Sequence, residues 1–248
     1  MADVVLITGA GRGIGAATAR LAAARGYAVV VNYRSNKTAA ESVVAAIVGT
    51  GGRAMAVQAD VAIEADVVRL FETIDNRLGR VTALVNNAGI LGRQSRLDAL
   101  DAVRIMKVLA TNVLGSMVCA REAVRRMSTT HGGRGGAIVN VSSIAARLGS
   151  PGEYVDYAAS KGAIDTFTIG LAKEVAAEGI RVNAVRPGFT YTDIHADGGE
   201  PGRVDRLAPT VPMQRGGQPD EVARAILWLL SDEASYTTGT FLDVSGGK

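Results

Sequence analysis

A single cysteine, Cys119, stands in the 248 residues, so no intramolecular disulfide can form. Its neighbours are apolar and helical, which reads as a reduced packing residue. Histidine is almost as scarce: His131 and His195 are the pair, and no H-x-x-x-H or C-x-x-C spacing accompanies them. No metal site is therefore expected. Aromatic residues make up 4% and the arginines are scattered, so there is neither a stacking platform nor a basic run. A net charge of +3 and a pI near 9.2 are too mild to imply nucleic acid as a partner. No uninterrupted apolar run approaches the ~20 residues that cross a bilayer. The chain enters a strand pattern at once, without a charged leader and apolar signal core. The expectation is a cytoplasmic protein with no membrane contact.

What is present is an ordinary balance of 48% hydrophobic and 21% charged residues, enough for a large core. The β-branched run at 4–8 looks buried on both faces, as in a parallel sheet, and further strands are expected at 28–32, 54–58, 83–85, 137–141 and 180–185. Between them lie helical patterns at 16–25, 38–48, 64–78, 97–110, 113–127 and 157–178, and a further helix is expected from Pro219 to Leu230. Phe241 to Val244 supplies a seventh strand. The alternation predicts one α/β unit over residues 1–248: a doubly wound, seven-stranded parallel sheet with helices on both faces. Residues 189–218 lack a period and are rich in Gly, Pro and Asp. Such a stretch inside a compact domain predicts a functional loop, here a mobile lid over a site.

The first strand runs into Thr8-Gly9-Ala10-Gly11-Arg12-Gly13-Ile14-Gly15 and then a helix. Strand, glycine turn and helix form a phosphate cradle, because glycines admit a pyrophosphate and the helix N-terminus offers amide donors. Dinucleotide folds often end the second strand with an acidic residue that holds the ribose 2′-hydroxyl. This chain has Asn32-Tyr33-Arg34 there, and a guanidinium suits a 2′-phosphate that a carboxylate would repel. Arg12 adds a second positive charge. Asp60, before Val61, is placed either to accept from an adenine amino group or to cap the next helix. Asn86-Asn87-Ala88-Gly89 lets the chain turn sharply beside a ligand, and Asn86 and Asn87 can also lock neighbouring turns.

Tyr157 and Lys161 are four apart, which sets them on one helix face, ~6 Å apart along the axis. A nearby ammonium stabilises a phenolate and pulls the phenol pKa from ~10 toward neutrality. Such a tyrosine can give a proton to a carbonyl oxygen or take one from an alcohol. Ser142 and Ser143 end the fifth strand, at the sheet edge where ligands bind. Asn112 is a poor helix former in an apolar helical stretch, and its amide needs partners if it is buried.

Taken in order, Thr8-Gly9-x-x-x-Gly13-Ile14-Gly15, Asn86-Asn87-Ala88-Gly89, Asn112, Ser143, Tyr157-x-x-x-Lys161 and Pro187-Gly188 resemble the short-chain dehydrogenases/reductases along essentially the whole chain. The resemblance implies a Rossmann fold, an NAD(P) cofactor and a catalytic Asn112, Ser143, Tyr157 and Lys161. Tyr157 would be the acid/base and Ser143 would bind the substrate oxygen, with Ser142 as the near competitor. Lys161 would hold the nicotinamide ribose and lower the Tyr157 pKa, and Asn112 would hold a water that links Lys161 to solvent. Asn87, Ala88, Gly89, Pro187, Gly188, Thr190 and Thr192 would lie along the cofactor, the last four by the nicotinamide carboxamide. A homotetramer is implied as well. One departure is the distance from Ser143 to Tyr157, 14 positions, one more than is frequent in the family. The extra residue falls in the loop 148–153, which should border the substrate. Residues 31–35 resemble bacterial glucose 1-dehydrogenases, while the general pattern is also similar to 3-oxoacyl-carrier-protein reductases. Candidate pocket residues are Leu91, Arg147, Glu153, Tyr154, His195 and Met213. The expected function is interconversion of a carbonyl and a secondary alcohol, with NADP(H) preferred and NAD(H) possible. The rival reading is an inactive dinucleotide-binding regulator, which would have no need of Asn112, Ser143, Tyr157 and Lys161 together.

Overall fold

The computed structural model describes residues 3–248, so the first two positions of the expected 1–248 unit lie outside it. Seven strands form one all-parallel sheet: β1 (Val4–Ile7), β2 (Ala28–Tyr33), β3 (Arg53–Gln58), β4 (Ala83–Asn86), β5 (Gly136–Val141), β6 (Ile180–Pro187) and β7 (Phe241–Val244). Their order is β3-β2-β1-β4-β5-β6-β7. Side chains alternate across a strand, so each β-branched run feeds two cores. Val4 and Leu6 of β1 pack with α3 (Glu64–Arg77), α5 (Gly115–Met127) and α7 (Val155–Val175). Val5 and Ile7 pack with α1 (Gly13–Ala24), α2 (Lys37–Gly49) and α10 (Pro219–Leu230). α1 contributes Ala16, Ala19 and Ala22 to that core, small residues that let the helix lie close to the sheet. Cys119 is buried in the first core, and burial pushes its thiol up to about 12. It is a packing residue.

Three expectations change. The helices predicted at 97–110 and 113–127 are one: α4 (Ala102–Leu109) continues through a π turn at Ala110–Leu114 into α5, and Asn112 sits within the turn. By length and composition, Ala102–Met127 could cross a bilayer, although no uninterrupted apolar run was evident. Its Val118, Cys119, Ala120, Ala123 and Met127 are instead built into the sheet core. Buried Glu122 on the same helix is held by Arg121, Arg125 and Arg126. Asp60 does not cap α3, whose N-cap is Ile63. Its carboxylate accepts from the Ala62 amide, while the Asp66 carboxylate accepts from the Asp60 amide.

The periodless stretch has structure of its own. Short helices α8 (Ile194–Asp197) and α9 (Arg203–Leu207) interrupt it, and α6 (Ala145–Leu148) lies in the loop after β5. Its ends are tied by a bridge between Thr190 and Gly217. Val204 and Val211 are buried, so the segment has apolar anchors that its sequence period did not reveal.

Candidate active site

The chain reverses direction across the sheet between β1 and β4, and the loops after these strands part at the carboxyl edge. Thr8 ties them together. Its hydroxyl oxygen accepts from the amides of Asn87 and Ala88, both at 3.0 Å. The Asn87 side-chain amide donates to the carbonyls of Thr8 and Gly9 at 2.8 and 3.1 Å. Asn86 donates instead to Ser116 and Asn140. Asn87 therefore locks the glycine turn, while Asn86 ties β4 to α5 and β5. Gly9 has φ +62°, and a Cβ there would lie 3.0 Å from the Ala88 Cα. A Cβ on Gly15 would lie 2.6 Å from the Asn87 Nδ2. Only glycine fits the floor of this turn.

A cleft of about 650 Å³ runs from this turn along the sheet edge to α7. Gly9, Arg12, Gly13, Ile14, Tyr33, Arg34, Asp60 and Val61 line its first half. Asn87, Ala88, Gly89, Pro187, Gly188, Thr190 and Thr192 line the middle, and Ser143, Tyr157 and Lys161 the far half. Two anticipated site residues do not face it. Gly15 lies beneath the turn, and Asn112 is fully buried. The Asn112 Oδ1 accepts from the Ile90 amide at 2.8 Å, and its Nδ2 donates to the Ile90 carbonyl and the Ser160 hydroxyl. Its amide is thus satisfied by the protein, and it fixes the loop after β4 against α7.

Among the described residues Arg34 has no carboxylate partner, and it is exposed at the rim. Arg12 is paired with Asp197 and lies 4.0 Å from Asp193, both from the lid. Asn32 is buried: its Oδ1 accepts from the Gly9 amide while its Nδ2 donates to the Val57 and Ala59 carbonyls.

At the far end, the two serines differ. Ser142 is buried and donates to the Asp165 carboxylate at 2.6 Å. Ser143 is half-buried and borders the cleft, its hydroxyl oxygen accepting from the Ala145 amide. Burial pushes the Tyr157 phenol up to about 12, and the Ser143 hydroxyl is the group that acts against it. Lys161 is buried and donates to the Val141 carbonyl at 2.7 Å, with its Nζ 5.5 Å from the centre of the Tyr157 ring. Burial draws its own pKa down to about 8, with Asp165 opposing. In this structure burial sets the phenol high, opposed by the Ser143 hydroxyl, and burial likewise lowers the ammonium. A phenol held protonated across the neutral range is a proton donor.

Of the pocket candidates, Leu91, Glu153, Tyr154 and His195 line the cleft. Arg147 instead pairs with Asp243 at 2.6 Å, and Met213 is exposed beside Gly246. Reasoning from the sequence missed Arg203, which is buried in the cleft wall and bonded to Glu153 and Glu200. Its local partner, Glu200, reads as an ordinary helical-spacing pair, while Glu153, the partner from the loop before α7, stands 50 positions away.

The family model described as enoyl-(acyl carrier protein) reductase matches residues 9–248. The chain belongs to the short-chain dehydrogenase/reductase family. Its relatives include an uncharacterized oxidoreductase, YgfF, of Escherichia coli (strain K12), 62% identical over 99% of both chains. A 3-oxoacyl-[acyl-carrier-protein] reductase of Synechocystis is 42% identical over 99% of this chain and 96% of the relative. A human protein of the same description is 42% identical over 100% of this chain and 98% of its own. This short-chain dehydrogenase/reductase is thus an oxidoreductase of a family that works with NAD(P)(H).

Proposed function

We propose that the chain interconverts a carbonyl and a secondary alcohol, with NADP(H) preferred over NAD(H) and Tyr157 as the acid/base. The observation that carries this reading is the far end of the cleft, where a protonated phenol and the Ser143 hydroxyl stand together beside Lys161. The first half fits a dinucleotide. Glycines that no side chain can replace lead into a 12-residue helix whose N-terminal amides suit a pyrophosphate. Gly9, Gly13, Ile14 and Gly15 would form that cradle, and Asp60 and Val61 would border the adenine. Tyr33 and Arg34 would receive a 2′-phosphate, since Arg34 has no competing carboxylate among the described residues, and Arg12 would join them in exchange for its Asp197 partner. Asn87, Ala88, Gly89, Pro187, Gly188, Thr190 and Thr192 would flank the rest.

When bound, the cofactor supplies or accepts the hydride. The residues of the chain do the remainder. Ser143 orients the substrate oxygen, and Tyr157 gives its phenolic proton to that oxygen in reduction or withdraws one in oxidation. Lys161, which donates to the Val141 carbonyl, would hold the nicotinamide ribose. Asn112 would act through position, tying Ile90 of the loop after β4 to Ser160, the neighbour of Lys161 on α7. The stretch 189–218 would act as a lid over cofactor and substrate. A homotetramer is supported by exposed apolar side chains on two surfaces. Val103, Met106 and Leu114 lie along the α4–α5 helix with Ile169 on α7, and Trp228 and Tyr236 lie elsewhere. A cytoplasmic location and one functional unit agree with this reading. The inactive-regulator reading gains no support from an intact Ser143, Tyr157 and Lys161 set.

The test is purified protein with NADPH against small ketones, sugars and acyl thioesters. Oxidation of NADPH with at least one carbonyl is expected. Tight NADPH binding with no turnover on any of them would favour the regulator.

A further inference from the structure

Asp156 immediately precedes Tyr157, on the first turn of α7. Its side chain is 2% exposed, and Arg104 of α4 holds it with two nitrogens. Nε donates to Oδ2 at 2.9 Å and Nη2 to Oδ1 at 3.3 Å. A guanidinium that meets a carboxylate with two prongs fixes direction as well as distance. The remaining nitrogen, Nη1, donates to the Arg93 carbonyl. The guanidinium also leaves no room for a side chain at Gly92. Arg104 therefore joins α4, the loop after β4 and the start of α7. That loop carries Ile90 and Leu91, which line the cleft together with Tyr157.

The first turn of α7 needs such a tie. Tyr157 is the third residue of the helix, and the amides of a first turn have no partners within their own helix. A capping side chain commonly satisfies one of them, but the N-cap here is Tyr154, whose side chain makes no such bond. The backbone supplies one tie nearby, from the Ser95 amide to the Glu153 carbonyl at 3.0 Å, and it stops short of the helix. Among the described residues the Asp156 carboxylate bonds to Arg104 alone. A proton donor must stand within hydrogen-bond reach of the reacting oxygen, and a misplacement of about 1 Å can cost on the order of 10² in rate.

We propose that Arg104 is a positioning residue for Tyr157: through Asp156 it holds the first turn of α7 against the loop after β4, so that the phenol keeps a fixed place relative to the Leu91 wall of the cleft. The proposal rests on the acid/base reading of Tyr157 and names what supports that group.

A buried ion pair also bears on stability, and the two roles separate in a double variant. Arg104→Met and Asp156→Leu each strand the other charge away from water, so each single variant should melt below the parent. Arg104→Met with Asp156→Leu replaces both charges by apolar side chains and should regain most of the lost Tm. Catalysis should not return with it. The kcat for NADPH-dependent reduction of the best carbonyl in the panel of ketones, sugars and acyl thioesters should stay about 10–100-fold below the parent, with the Kd for NADPH within about twofold. Arg104→Lys keeps the charge and loses the planar fork, so it should melt close to the parent while kcat falls about tenfold. Return of kcat along with Tm in the double variant would overturn the proposal, because the pair would then be a stabilising contact alone. If the double variant does not fold, a parental kcat in Arg104→Lys overturns it.

A second readout needs no turnover. The chain has six tyrosines, and carbon-13 at the ring Cζ reports each phenol separately, with the Tyr157 line identified by its loss in Tyr157→Phe. That line should shift or broaden in Arg104→Lys and in the double variant, while those of the distant Tyr27 and Tyr236 stay in place. A parental Tyr157 line in both would overturn the positioning role. Failure of every carbonyl to oxidise NADPH, or a parental kcat in Tyr157→Phe, would instead overturn the acid/base reading, and the carbon spectra would still decide whether Arg104 places the phenol.

Discussion

Ser142 and Ser143 are adjacent, and exchanging each for alanine should have opposite consequences. Ser142→Ala removes a buried hydroxyl that donates to the Asp165 carboxylate at 2.6 Å. Asp165 keeps Arg186 at 2.8 Å but loses a donor on its other oxygen. A hydrogen bond to a charged group is worth about 1.5–3 kcal/mol. In a chain of this length each kcal/mol shifts Tm by roughly 2–4 °C. The melting temperature should therefore fall by about 3–12 °C, with kcat/KM held within about threefold at a temperature where the variant is folded. Ser143→Ala removes a half-buried hydroxyl at the cleft, whose protein partner is the Ala145 amide. Its Tm should stay within a few degrees of the parent. Loss of a donor that orients the reacting oxygen costs about 10²–10³ in rate, so kcat/KM should fall by that order. Thermal melts and NADPH-linked kinetics on both variants test the pair. Loss of turnover in Ser142→Ala equal to that in Ser143→Ala, at an unchanged Tm, would refute the assignment.

Tyr33→Asp with Arg34→Ala should move the kcat/KM preference from NADPH toward NADH, and equal use of both cofactors by the parent protein would contradict the role given to these residues. Light scattering at micromolar concentration should give the mass of a tetramer, and a monomer would remove the part assigned to the exposed apolar surfaces on α4–α5 and around Trp228. Hydrogen exchange across 190–214 should slow when NADPH and substrate bind, while unchanged exchange would count against a closing lid.

The five central strands were legible because they are short apolar, largely β-branched runs buried on both faces; the edge strands β3 and β7 are only partly buried. The glycine turn was legible because strand, glycines and helix follow each other without a gap. Low helix propensity at Asn112 leaves open whether it lies between two helices or within one, and the structure places it within, where Ile90 and Ser160 satisfy its side chain in a π turn. The lid helices were not legible. They are one turn or little more, lie among glycines and prolines, and are held by partners distant in the chain, as Arg203 is by Glu153. The same long-range pairing drew Arg147 away from the cleft to Asp243. The spacing of Tyr157 and Lys161 puts both on α7, but spacing says nothing of desolvation, which raises the phenol and lowers the ammonium.

Removal of one oxygen atom tests the central claim most directly. Tyr157→Phe keeps the ring and its packing and deletes the phenolic proton that carbonyl reduction requires. General acid–base groups contribute roughly 10²–10⁴ in rate, so kcat for NADPH-dependent reduction should fall by that range, with NADPH binding little changed. Because oxidation needs the phenolate, and burial raises the phenol to about 12, the parent's rate of alcohol oxidation should still be climbing above pH 9. If Tyr157→Phe retained more than about a tenth of the parent kcat, Tyr157 would not be the acid/base.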